Sequence, residues 1–83
     1  MMPTLTLYSR QGCGLCEEAL HLVQKLQETA RFDVNVVDVD SDPDLTLRYG
    51  DLVPVVETSD GRRVVPPVTE ERLQQLLGLE GGG

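Results

Sequence analysis

Two cysteines two residues apart, Cys13-Gly14-Leu15-Cys16, stand where one periodicity gives way to another. That junction constrains the chain more than any other stretch. Before it, Leu5 and Leu7 alternate with Thr4, Thr6 and Tyr8, the period-two pattern of a strand with one covered face. Ser9, Arg10, Gln11 and Gly12 interrupt the pattern. From Leu15 onward Cys16, Ala19, Leu20, Val23 and Leu26 recur at three- and four-residue spacing, so one stripe of a helix faces a core. The cysteine pair therefore lies at a strand-to-helix junction.

Chemistry follows from that placement. The thiolate is the reactive form of cysteine, and a helix N-terminus offers unpaired N–H groups and the positive end of the helix dipole. Such sites lower a cysteine pKa from about 8.5 into a range of roughly 3.5 to 7.5. Cys13 is placed to benefit and is the candidate nucleophile. Cys16, one helical turn inward and less exposed, is the candidate resolving thiol. Other readings stay open on the residues alone. A CxxC pair can be half of a zinc site, although a structural zinc takes four protein ligands and only His21 offers a further nitrogen here. Two inert packed thiols, or an iron–sulfur cluster shared between two chains, are the remaining alternatives.

At 83 residues the sequence has room for one core. Residues 1–80 are expected to form a single domain and Gly81-Gly82-Gly83 a flexible tail. A formal charge of −7 argues against nucleic acid and anionic membrane as partners. No apolar run reaches the length of a membrane span, and Met1-Met2-Pro3 leads into a strand without a signal-like segment, so a cytoplasmic location is expected. Two closely spaced cysteines are not the disulfide framework of a secreted mini-domain.

Downstream, Phe32, Val34 and Val36 and then Val37 and Val39 alternate with polar residues and read as a second strand. The change of phase at Val36-Val37 predicts a bulge or a strand covered on both faces. A helix between two such strands implies a right-handed parallel pair. Asp42-Pro43 opens a short helix through Leu45, Leu47 and Arg48 that stops near Gly50. The acids at 38, 40, 42 and 44 lack the spacing of a calcium loop and read as solvated acids and caps. Leu52 to Val56 reads as a strand, Ser59-Asp60-Gly61-Arg62 as a hairpin turn, and Arg63 to Val65 as a final antiparallel strand. Pro66-Pro67 ends the sheet. Thr69 then caps a last helix whose Leu73, Leu76 and Leu77 face inward. The order of elements is βαβαββα.

The segment Leu7-Tyr8-Ser9-Arg10-Gln11-Gly12-Cys13-Gly14-Leu15-Cys16-Glu17-Glu18-Ala19, followed by Val53-Pro54 and Asp60-Gly61, resembles the glutaredoxin-like branch of the thioredoxin-fold superfamily. The resemblance spans nearly the whole chain. It implies an α/β fold with a four-stranded mixed sheet flanked by three helices. It also implies a cis Val53–Pro54 bond lying against the cysteines, with the Val53 backbone open to a bound thiol peptide. Arg10 matches a basic residue that glutaredoxins carry three positions before the first cysteine, where it stabilises the thiolate and meets a glutathione carboxylate. Tyr8 is a candidate for the wall of the thiol cleft, and Thr69, at a helix N-terminus, for an anion contact. His21 is read as exposed and outside the chemistry.

The implied activity is that of a thiol-disulfide oxidoreductase acting as a monomer on disulfide-bearing proteins or small thiols. Cys13 attacks, Cys16 resolves, and a reductase or glutathione restores the dithiol. No resident cofactor or metal is implied; glutathione enters as a co-substrate. Two departures stand out. Gly14-Leu15 replaces the Pro-Tyr or Gly-Pro that such proteins place between their cysteines, and Val65-Pro66-Pro67 occupies the position of the glycine pair that holds glutathione. Two readings from other classes accompany this one: a metal or iron–sulfur module sharing the cysteines of two chains, and a non-catalytic adaptor of the same fold.

Overall fold

The computed structural model describes residues 3–78; the glycine tail expected at 81–83 lies outside them. The elements run β1 (Thr4–Ser9), α1 (Gly14–Gln27), β2 (Asp33–Asp38), a single 3₁₀ turn (Val39–Ser41), α2 (Pro43–Tyr49), β3 (Val55–Thr58), β4 (Arg63–Val64) and α3 (Glu70–Leu77). The four strands form one mixed sheet in the order β2-β1-β3-β4. β1 runs parallel to β2 and antiparallel to β3, and β3 runs antiparallel to β4. The α/β architecture of a four-stranded sheet with three helices is therefore the one expected.

The alternation of β1 divides the core in two. Leu5 and Leu7 face one side of the sheet, where they pack with Ala19, Val23 and Leu26 of α1, Phe32, Val56, Val64, and Leu73 and Leu76 of α3. Tyr8 faces the other side. There Val39, Tyr49 and Val55 are buried, with Tyr8, Leu45 and Val53 packed against them, so α2 covers this face. Val55 and Val56 are both fully buried because β3 is a central strand with a helix layer on each side.

β2 differs from its sequence reading. Its register with β1 runs without interruption from Thr4↔Asp33 to Ser9↔Asp38, so there is no bulge. Nor is it covered on both faces: it is an edge strand, and Val36 is 53% exposed. The phase change arises because the strand stops at Asp38, and Val39 enters the core from the following 3₁₀ turn. Two other boundaries move. β3 begins at Val55, since Leu52 and Val53 turn back to donate to the Tyr49 carbonyl at 2.8 and 3.0 Å, and β4 ends at Val64.

Side-chain caps start the two later helices. Asp42 accepts from the Asp44 N–H at 2.8 Å with Pro43 in the first turn, and Thr69 accepts from the Arg72 N–H at 3.1 Å. In the β3–β4 turn the Thr58 hydroxyl binds Asp60, and Gly61 has φ of 91°, a conformation that favours glycine. Leu73 is fully buried at the centre of the larger core, whereas Leu47 is 87% exposed on α2. Leu73→Ala is expected to cost about 2–5 kcal/mol in urea unfolding. Leu47→Ala is expected to stay within about 0.5 kcal/mol of the native chain.

Candidate active site

Strand β1 ends at Ser9, and the chain turns through Gly12, whose φ of 72° suits a residue without a β-carbon. It then enters α1 at Gly14. Cys13 is the N-cap of that helix, with extended backbone dihedrals. Its sulfur takes the role an oxygen has in most caps: the Cys16 N–H donates to Cys13 Sγ at 3.1 Å. Cys13 is half-buried and Cys16 is buried, 4% exposed. The two are joined as a disulfide, their Cα atoms 5.2 Å apart. His21 is exposed on α1.

Beside the pair lies a groove of about 460 Å³ between α1 and the loops that precede β3 and α3. Leu15 and Leu22 form the α1 wall, and Pro54, Pro66, Pro67 and Val68 form the facing wall. Glu18 is the one charged residue among those that line it. The Val53–Pro54 bond is cis, as the resemblance implied, and so is Pro66–Pro67. Pro66-Pro67, read from the sequence as the end of the sheet and as standing in place of a glycine pair, supplies part of the groove. Arg72 fixes that loop, donating from Nη1 to the Val65 carbonyl at 2.7 Å and to the Pro67 carbonyl at 2.5 Å.

The remaining sequence candidates are distributed as follows. Val53 precedes the groove proline, and its N–H is engaged by the Tyr49 carbonyl. Tyr8 lies on the α2 face, stacked on Tyr49 with ring centroids 4.5 Å apart, and its hydroxyl donates to Glu57 at 3.3 Å. Burial and the neighbouring Glu57 carboxylate raise the Tyr8 pKa. Thr69 caps α3 and is exposed, one residue beyond the groove wall.

Arg10 is not a free cation. Its Nε and Nη2 donate to both oxygens of Asp40 at 3.0 and 2.9 Å, and its Nη1 donates to the Gly50 carbonyl at 2.9 Å. The fork clamps the loop before the cysteines to the 3₁₀ turn and to the end of α2. The hydrogen bond from Arg10 holds the Asp40 carboxyl below the usual carboxylate range. On its other side Arg10 lines a small cavity of about 80 Å³ together with Cys16 and Glu17. Asp40 and Gly50 were not found from the sequence: their partner is 30 and 40 residues away, and no local spacing marks the pair. Among the described residues no group of three or more His, Cys, Asp and Glu side chains is placed to hold a metal ion. No helix among them is long and apolar enough to cross a membrane.

Known proteins resemble this chain in sequence and in fold. A family model described as a glutaredoxin-like domain (DUF836) matches residues 4–78. Uncharacterized proteins of Mycobacterium tuberculosis and Mycobacterium bovis are 30% identical over 77 residues, covering 87% of this chain and 79% of theirs. A structural genomics target protein from X. campestris superposes with a TM-score of 0.77 at 34% identity, over 89% of this chain and 95% of that one. A mutant thioredoxin from Halobacterium salinarum superposes with a TM-score of 0.71 at 29% identity, over 89% of this chain and 70% of that one.

The Arg10–Asp40 clamp has a pH signature. A carboxylate whose pKa is depressed by folding stabilises the fold above its unfolded pKa, and that contribution disappears as pH falls through the folded value. Asp40→Asn is therefore expected to unfold at lower urea than the native chain at neutral pH. The two midpoints should converge as the pH is lowered below about 4, the ordinary range for aspartate. A gap that persists unchanged through the acid range would contradict the clamp.

Proposed function

This chain belongs to the glutaredoxin-like domain family, and on that premise we propose that it is a thiol-disulfide oxidoreductase working through Cys13 and Cys16. The observation that carries the reading is the cysteine pair at the first turn of α1, with the outer sulfur as the helix cap and the inner one buried behind it. In the dithiol form, Cys13 as thiolate attacks one sulfur of a substrate disulfide. A Cys13–substrate sulfur bond forms, and the other substrate sulfur leaves as a thiolate that takes a proton from water. Cys16 then loses its proton and attacks Cys13 Sγ, releasing the second substrate thiol and closing the Cys13–Cys16 disulfide. Two electrons have passed to the substrate, and an external thiol or dithiol reductant returns the pair to its starting state.

The neighbouring groove supports the reading, since a substrate segment lying between Leu15 and Pro54 would present its disulfide to Cys13. The Cys16 N–H, already directed at the Cys13 sulfur, would stabilise the thiolate in the same geometry. Arg10 acts in this scheme by holding the turn in place, because its own charge is matched by Asp40.

The test is a trap. Cys16→Ser incubated with a neutral disulfide such as hydroxyethyl disulfide is expected to accumulate one mixed disulfide on Cys13, visible by mass spectrometry. Cys13→Ser should form none on Cys16 over the same interval and should lose turnover with dithiothreitol as reductant. Equal labelling of both cysteines, or turnover that survives in Cys13→Ser, would overturn the assignment.

A further inference from the structure

The charges around the cysteine pair are lopsided. The first turns of α1 carry two exposed carboxylates, Glu17 and Glu18, on successive residues after Cys16. A helix places successive residues about 100° apart, so the two carboxylates leave the helix in different directions. The cavities agree: Glu17 and Cys16 both line the small cavity, and Glu18, with Leu15, lines the apolar groove. Cations do not balance them. Arg10, the basic side chain beside the small cavity, is bound by both oxygens of Asp40, with Asp51 and Asp38 acting on it as well. Arg72, behind the groove wall, has its guanidinium engaged by the carbonyls of Val65 and Pro67. Lys25, farther along α1, pairs with Glu70 at 3.5 Å. The sequence as a whole has 7 lysines and arginines against 14 acids.

From this we infer that the site selects disulfides by charge: it favours a cystine flanked by lysine or arginine and disfavours anionic disulfides, glutathione disulfide included. Glu17 and Glu18 are the specificity-determining residues. The inference rests on the oxidoreductase reading above and names its substrate class. Its physical basis is that an incoming disulfide must bring its own substituents against the rim as the Cys13 sulfur approaches in line with the sulfur–sulfur bond. Positive substituents meet Glu18 on the groove side and Glu17 on the other. The carboxylates of glutathione meet the same two acids, with no unengaged cation among the described residues that line the groove or the small cavity. Charges arranged in this way act on the encounter rate and are screened by salt.

Three small disulfides of one mechanism and different charge test this. Cystamine is doubly positive, hydroxyethyl disulfide is neutral, and glutathione disulfide is doubly negative at neutral pH. Each is mixed with the fully reduced native chain, and formation of the Cys13–Cys16 disulfide is followed by quenching and mass. After correction for the intrinsic reactivity of each disulfide toward free cysteine, the expected order is cystamine, hydroxyethyl disulfide, glutathione disulfide. At low ionic strength the outer two should differ by about tenfold or more, narrowing in roughly 0.5 M salt as screening shortens the reach of the charges. The double variant Glu17→Gln with Glu18→Gln should reduce the cystamine-to-glutathione ratio at least about threefold, the neutral disulfide serving as reference within each protein.

The outcomes separate two failures. Equal corrected rates, a preference for glutathione disulfide, or a ratio unmoved by salt would overturn the charge selection and leave the oxidoreductase reading standing. Failure of all three disulfides, the neutral one included, to oxidise the pair would overturn both. The salt series uses the native chain alone and so decides whether charge selects even if the double variant does not fold; a folded double variant, or either single Gln variant, with the ratio unmoved would overturn the assignment to Glu17 and Glu18.

Discussion

A backbone N–H directed at a sulfur is the interaction on which the site depends. Cys13 takes the capping position of α1, and the Cys16 N–H donates to its sulfur at 3.1 Å. The contact joins two needs. The helix start requires acceptors for its unpaired N–H groups, and a nucleophilic cysteine requires donors that favour its thiolate. An ordinary cap would use serine, threonine or aspartate, as α2 and α3 do with Asp42 and Thr69. On the proposed function, a cysteine in this position adds a chemical role to a structural one without altering the course of the backbone.

The rest of the fold holds that turn in place. β1 delivers the chain to the helix start, and its two faces are packed independently, Leu5 and Leu7 against α1 and α3, Tyr8 against the α2 layer. β3 is buried on both sides and carries Pro54 to the groove. Arg10 ties the loop before the cysteines to Asp40 and Gly50, and Arg72 ties the Pro66-Pro67 loop to α3. Exposed ion pairs contribute little to stability taken singly. Here the consequence is positional, since the Arg10–Asp40 pair fixes the loop before the cysteines and the Arg72 hydrogen bonds fix the loop that walls the groove.

What was legible in the sequence is what local pattern can encode. The alternation of Leu5 and Leu7, the helical stripe from Cys16 to Leu26, the Asp42-Pro43 and Thr69 helix starts and the Asp60-Gly61 turn each have their cause within a few residues, and each stands in the structure where the pattern put it. The failures have non-local causes. Val36 and Val37 suggested a bulge or a doubly covered strand, but whether a strand is central or at an edge depends on partners elsewhere; β2 proved to be the edge and β3 the covered strand. Leu47 was read as part of the short helix after Asp42-Pro43 and is exposed there, because it stands two residues, about 200° of helix rotation, after Leu45, and Leu45 and Tyr49 take the inward face. The fork from Arg10 to Asp40 likewise became visible only when the fold brought residues 30 apart together. Pro66-Pro67 marked a boundary in the sequence and a groove wall in space.

The account stands on Cys13 being an activated thiolate. The most direct measurement is the rate of iodoacetamide alkylation of Cys13 in the reduced Cys16→Ser chain, followed by mass from acid to alkaline pH. The account predicts a midpoint below about 7.5, because the capping N–H and the helix dipole favour the charged form. A midpoint at or above about 8.5, the value of an unperturbed thiol, would show that the helix start does not activate the sulfur. It would leave the cysteine pair without its claimed chemical role.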